Sequence, residues 1–280
     1  MTTKSSVQRR IVNVAALLVS SVSALVGLVF LVWILVEVCL NGIAAINWDF
    51  FTRLPVPPGE VGGGLANALV GTLVITLLAT GLGVPLGILA GTYLAEFGRG
   101  QLAEIIRFLA NIFVSAPSIV IGVFVYAVLV VRMGGFSGFA GGVALSIIML
   151  PVVTRTTEEM LRLVPHAMRE AGLALGAPYW HMVWQIVYRR ARGGMMTGIM
   201  LAVARVSGET APLLFTSLNS PYWPSGIMDP MANLTVTVFN YAMSPYADWQ
   251  VKAWGASLII TFAVLAMNIT ARVLIHRIGK

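Results

Sequence analysis

Apolar residues run through five stretches of the 280-residue chain without a single charge: residues 11–36, 65–95, 108–131, 133–154 and 253–271. A sixth apolar stretch, 193–220, is interrupted by two charges, Arg205 and Glu209. A helix needs about 20 mostly apolar residues to cross a hydrocarbon core of about 30 Å. The pattern therefore predicts six membrane-spanning helices. Lys4, Arg9 and Arg10 precede the first stretch as they would in a signal peptide. That stretch is too long for a typical signal sequence and has no clear small-x-small cleavage site, which predicts an uncleaved first span.

Helix breakers punctuate the pattern. Gly81, Gly83, Pro85 and Gly87 fall in the second stretch and Pro117 in the third. Both prolines are expected to kink their helices, and the small residues to permit close helix contact. Residues 134–138, Gly-Gly-Phe-Ser-Gly, read as a tight turn between the third and fourth spans. The Pro- and Gly-rich loop 41–64 is expected to be extended. Residues 155–192 read as two or three short helices lying across the membrane face. There Thr156 or Thr157 would cap a first turn holding Glu158 and Glu159. Pro165 suits another first turn, and Gly176 followed by Pro178 reads as a stop and restart. Tyr222, Trp223, Tyr246 and Trp249 of loop 219–251 suit an interfacial belt. The chain divides into a first span with its loop, 1–64, and a core of five spans, 65–280.

Composition supports a lipid-facing surface. The chain is 58% hydrophobic and 10% charged, against about 25% charged in soluble domains. The net charge of +7 reflects topology and not nucleic acid. With a cytoplasmic N-terminus, fourteen of the 18 Lys and Arg residues fall on the inside and three outside, with Arg205 within a span. Both termini are thus expected in the cytoplasm. The lone Cys39 excludes an internal disulfide. His166, His181 and His276 and the 13 methionines form no metal-binding pattern.

Glu170-Ala171-Gly172, three residues, Gly176, nine residues and Ile186 resemble the cytoplasmic E-A-A, x3, G, x9, I-x-L-P signature of ABC importer permeases. Gly172 stands for the second Ala, and Tyr188-Arg189 for the closing Leu-Pro. With the stretches 151–160, 207–216, 81–91 and 116–122, the chain is similar to the phosphate (PstA-type) permeases over about residues 60–275. The resemblance implies an all-α transmembrane fold, a six-helix bundle with cytoplasmic coupling helices. It implies the cytoplasmic (inner) membrane of a bacterium and coupling to an ATPase through Glu170, Ala171, Gly172, Gly176 and Pro178. The implied partners are an ATP-binding subunit dimer, a second, homologous permease of the PstC type, an extracytoplasmic phosphate-binding protein and membrane lipid. Sulfate or molybdate is the alternative cargo.

The small residues of the motif allow close approach to a partner, and Glu170 offers one directional charge. Lys4, Lys252 and Lys280 are the only lysines, and none completes a Walker A motif. The chain is therefore expected not to be an enzyme and to bind no cofactor, with ATP and Mg2+ held by the ATPase subunit. Arg205 and Glu209, four residues apart, are expected to share a helix face and pair. Each charge at mid-membrane costs about 2.5–3.5 kcal/mol or more. Such a pair either fixes packing or lines an anion path, in which the planar fork of Arg205 suits phosphate oxygens. Ser207 and Thr210 add hydroxyls, and Pro212 frees a carbonyl nearby. A rival reading takes Gly135-Phe136-Ser137-Gly138 as the G-x-S-G core of a rhomboid-type intramembrane serine protease. It is disfavoured because Ser137 and His276 are expected at opposite faces. A secondary transporter working alone is the other rival.

Overall fold

The computed structural model describes residues 6–60 and 62–278, and every regular element among them is helical. Helix α1 (Ser6–Ile43) is followed by α2 (Trp48–Thr52), α3 (Ala66–Phe97), α4 (Gln101–Ser115), α5 (Ser118–Met133) and α6 (Gly138–Arg162). Then come α7 (His166–Ala174), α8 (residues 179–207), α9 (Ala211–Leu214), α10 (Leu234–Ala242) and α11 (Ala247–Ile278). Three helices contain π segments: Tyr93–Phe97 closing α3, Tyr126–Val130 in α5 and Val183–Tyr188 in α8.

Among the described residues, four helices are long and apolar enough to cross a membrane: α1, α3, α6 and α11. The pair α4 and α5, bent by 107°, supplies up to a fifth. The third apolar stretch is thus not one kinked span. Ala116 and Pro117 leave the helical region altogether, because a proline disfavours α geometry in the residue before it. The sixth expected span, 193–220, is also not one helix. α8 begins much earlier, carries Arg189, Arg190, Arg192 and Arg205, and stops at Ser207. Pro212 therefore opens the short α9 and does not interrupt a longer helix.

Other expectations need correction at the loops. Residues 41–64 are not extended throughout: α1 runs on to Ile43, and the Asn47 side chain caps α2 by accepting from Phe50 N at 2.8 Å. Residues 219–251 contain α10. Thr156 and Thr157 cap nothing, because α6 continues to Arg162 without a break. Pro165 precedes α7 as its N-cap. The stop and restart appear as expected: Gly176 adopts φ +79° and Pro178 precedes α8. Ser137 is fully buried, and its hydroxyl accepts from Ala140 N at 3.1 Å to cap α6. A capping role for this serine removes the support for the protease reading. His276 falls within α11, but its side chain lies outside the described residues.

The bundle is organised on α3 and α6, its most extensive helix pair. Ala79, Gly83, Gly87 and Gly91 recur every fourth residue and are buried. A Cβ on Gly87 would lie 2.7 Å from Val153 Cβ, and one on Gly91 2.5 Å from the Thr154 carbonyl oxygen. From the other side, a Cβ on Gly142 would lie 2.8 Å from Leu78 Cβ. The glycine backbone here lies directly against backbone and Cβ atoms of the facing helix, the small-residue packing by which helices associate in lipid. Pro85 sits on the exposed side of α3, and the helix passes through it. Ile75, Leu145 and Met149 of this pair join Ala202 and Val206 of α8 and Leu213 of α9 in one core. A second core unites Phe50, Leu65, Leu234, Tyr241 and Ala256 of α2, α10, α11 and the start of α3. α1 touches α11 around Gly42, whose added Cβ would lie 2.9 Å from Trp254 O. Residues 11–34 of α1, including Leu17, Leu25 and Trp33, are exposed and mostly apolar.

Gly91→Ala is expected to destabilise the purified protein by about 1–3 kcal/mol, as overpacking does. Gly81, with nothing within 4 Å of an added Cβ, should accept Ala without loss. Unfolding of both variants in detergent checks the contrast.

Candidate functional site

Two places hold the residues singled out by the sequence. The first is the C-terminal end of α8. Arg205 lies in its last turn and Gly208 caps it. Glu209 is already outside the helix, so the two charges do not share a regular helical face. They still meet, with Arg205 Nε 3.9 Å from Glu209 Oε1. That is contact between charges and longer than a hydrogen bond. The Arg205 side chain is 51% exposed and that of Glu209 19%. A cation in the last turn of a helix is favoured by the negative end of the macrodipole. Arg205 is therefore stabilised without a tight carboxylate partner, and its donors remain available.

The backbone beyond α8 is held by neighbouring polar groups. Thr235 Oγ1 donates to Glu209 O at 2.9 Å and to Asn233 Oδ1 at 2.9 Å. Asn233 caps α10 by accepting from Val236 N at 2.9 Å, and its Nδ2 donates to Ser217 Oγ at 3.1 Å. Pro212 packs on α5, where a Cβ on Gly122 would lie 2.6 Å from Pro212 Cα. The break after α8 thus rests against α5, just beyond the break at Pro117. Thr210 caps α9 through its carbonyl, which accepts from Leu213 N at 3.1 Å. Ser207 is not brought to the charged pair. Its hydroxyl donates back to Val203 O at 2.9 Å, and it lines an apolar cleft with Leu69, Leu234 and Ile260.

The second place is the hairpin of α7 and the start of α8. Glu170 and Ala171 are exposed, and Gly172 is buried against the hairpin's other arm. A Cβ on Gly172 would lie 2.5 Å from Ile186 Cδ1 and 3.1 Å from Met182 Cγ. Glycine instead of the signature's alanine thus lets the two arms close. Tyr188, at the signature's Leu position, hydrogen-bonds Thr92 Oγ1 of α3. Both departures from the motif are accommodated by local contacts.

Two acidic residues gather the arginines of this end of the bundle: Glu158, expected from the sequence in a capped first turn, and Glu96, which sequence reasoning gave no role. Glu158 of α6 accepts from Arg107 of α4 at 3.0 Å and pairs with Arg162 at 2.9 Å. Glu96, at the end of α3, has a side chain with 0% exposure and holds Arg169 of α7. Arg169 Nη1 donates to Glu96 Oε1 at 2.6 Å, and Arg169 Nη2 donates to Leu161 O at 2.7 Å. Tyr179 Oη donates to Glu96 Oε2 at 2.8 Å. Burial first, and then the bond to Glu96, raise the Tyr179 phenol above its ordinary value of 10.0 and keep it a donor. The available signal was the position of Glu96 immediately after an uncharged run.

Residues 83–280 match the family described as binding-protein-dependent transport system inner membrane component. The phosphate transport system permease protein PstA of Yersinia pestis is 50% identical over 97% of this chain and 92% of its own length. Its namesake from Xylella fastidiosa is 50% identical over 96% of this chain and 94% of its length. That of Mycobacterium leprae is 38% identical over 94% and 88%. Among solved structures, a bacterial alginate ABC transporter aligns with a TM-score of 0.67 at 14% identity, over 97% of this chain and 96% of that one. The inward-facing MetNI methionine ABC transporter aligns at 0.60 and 19% identity, over 78% and 95%. These two likenesses concern the fold.

Asn233→Ala removes a cap and the side-chain bonds to Ser217 and Thr235. It should cost about 1–2 kcal/mol, measured by unfolding of the purified protein.

Proposed function

The chain belongs to the family of binding-protein-dependent transport system inner membrane components, and from that premise we propose that it is the permease subunit carrying inorganic phosphate into the cell. The observation that carries the substrate is the 50% identity, over nearly the full length, to permeases named for phosphate transport. In this reading both termini face the cytoplasm, in keeping with the inside excess of basic residues. ATP and Mg2+ are bound by a separate ATP-binding subunit dimer, which docks on the exposed face of α7 around Glu170 and Ala171. Gly172, Gly176 and Pro178 shape that face. A second, PstC-type permease completes the path, and an extracytoplasmic binding protein delivers the phosphate.

Arg205 is the residue of the path that meets the anion. Its fork matches two phosphate oxygens, and the separation from Glu209 leaves the fork free to be taken. Once phosphate has passed, Glu209 is near enough to draw the guanidinium back. Thr210 borders the same break. Ser207, turned toward the apolar cleft, acts on the path only through the shape of the helix end.

Vesicles holding the chain with its partner permease, ATPase and binding protein should take up labelled phosphate on ATP addition, and excess sulfate should not compete. Movement of sulfate or molybdate in place of phosphate would overturn the assignment. Arg205→Lys keeps the charge and loses the fork, so uptake should fall about tenfold, a loss of about 1.4 kcal/mol. Arg205→Ala should fall further. Normal uptake by both variants at wild-type abundance would remove Arg205 from the path. Glu170→Arg should lower retention of the ATPase during purification severalfold, with the permease itself still folded.

A further inference from the structure

We propose that the buried Glu96 carboxylate is a positioning residue for transport, the joint through which displacement of α7 is passed to the spanning helix α3. The inference rests on the reading that the ATPase meets α7.

Glu96 is in the π segment that closes α3, and its side chain has no exposure. Two other elements converge on it, and a third on its partner. Arg169 comes from α7 and Tyr179 from the first turn of α8, and Arg169 also binds the carbonyl of Leu161 at the end of α6. Arg169 is itself only 13% exposed. On its other side α7 touches the hairpin through Gly172, Met182 and Ile186, contacts between apolar groups that permit sliding. In the buried pair, Arg169 Nη1 meets both Glu96 oxygens while Nη2 is held by Leu161 O, so it does not slide freely, and opening it strands a charge.

The position of Arg169 in the chain makes this useful. Its neighbour Glu170 is exposed. Successive helix residues point about 100° apart, so one residue faces the surface offered to the ATPase and the next faces into the bundle. A push received at Glu170 is delivered one residue away to a group locked onto α3. The other carboxylate cluster, Glu158 with Arg107 and Arg162, joins α4 to α6 and does not include α7.

The test uses the reconstituted complex and measures three quantities: ATPase retained, ATP hydrolysed, and phosphate moved per ATP. Glu96→Gln keeps the shape and removes the charge. It should retain the ATPase and hydrolyse ATP, while phosphate moved per ATP falls roughly fivefold, within the 2- to 30-fold range of coupling changes seen for residues remote from ligand. Arg169→Lys should lower the same ratio by a smaller factor. It decides alone if Glu96→Gln does not accumulate. An unchanged ratio in the variants that accumulate overturns the inference. So does loss of ATPase retention in Glu96→Gln, because the residue would then serve docking and not transmission. Glu170→Arg reads the underlying assumption separately. If it leaves ATPase retention intact, the docking reading fails, whatever the ratio does in the Glu96 variant.

Discussion

Helices dissolved in lipid gain little by hiding apolar side chains from a solvent that is equally apolar, so the closeness of α3 and α6 governs everything attached to them. The buried row of Ala79, Gly83, Gly87 and Gly91 brings the two backbones together. Dispersion and carbonyl contacts then replace a hydrophobic drive that is missing. The register fixed by this contact decides what meets at each end. At one end Leu161 and Glu158 of α6 come beside Leu94 and Glu96 of α3, where Arg107, Arg162 and Arg169 collect. At the other end Gly71 passes so near Ala232 that an added Cβ would overlap its carbonyl oxygen. That pins the segment between α9 and α10, and with it Glu209. Bulk in the glycine row would therefore disturb both sites at once.

Irregular backbone at membrane depth survives only where protein covers it. Two helix breaks occur, at Ala116–Pro117 and after Ser207, and the segments that follow them are packed together through Gly122 and Pro212. Ala116, Ile121 and Leu213 enter the same core as Val206. The polar backbone released at the second break is met by Thr235 and by turns within α9. The two breaks thus lie side by side and share protein contacts, although Pro117 and Gly208 themselves stay exposed.

Much of this was legible in the sequence because lipid imposes a simple rule. Uncharged runs of spanning length located α1, α3, α6 and α11, although α1, α6 and α11 extend well beyond their runs. The stop at Gly176 and restart at Pro178 were legible because left-handed backbone and a proline N-cap have few alternatives. The rule failed where it says nothing about continuity. Apolarity predicted that 108–131 and 193–220 cross the membrane, and it cannot tell one helix from two meeting at an angle. Thr156 and Thr157 looked like caps because hydroxyls beside acidic residues favour helix starts, but tertiary contact with Gly91 and Gly198 absorbs them into α6. The role of Glu96 was illegible because its partners lie 73 and 83 residues away, and no local pattern encodes such a contact.

The pairs Arg169–Glu96 and Arg205–Glu209 differ in a way that suits different work. Arg169 and Glu96 are buried, in direct hydrogen-bond contact and shared by a third group, so separating them means leaving charge unsolvated. Arg205 and Glu209 stand 3.9 Å apart with the guanidinium half exposed, and such a pair is held weakly. On the roles proposed for them, the first pair is a joint that must not yield, and the second a site that hands an anion onward and must not hold. The placement of Arg205 at a helix C-terminus serves the second requirement, because the helix dipole helps to keep the cation where it is without occupying its donors. A tight Glu209 would have satisfied the charge equally well and closed the site. The looseness of one pair and the rigidity of the other thus follow from the same physics, applied to a helix end in the open and to a carboxylate with no exposure.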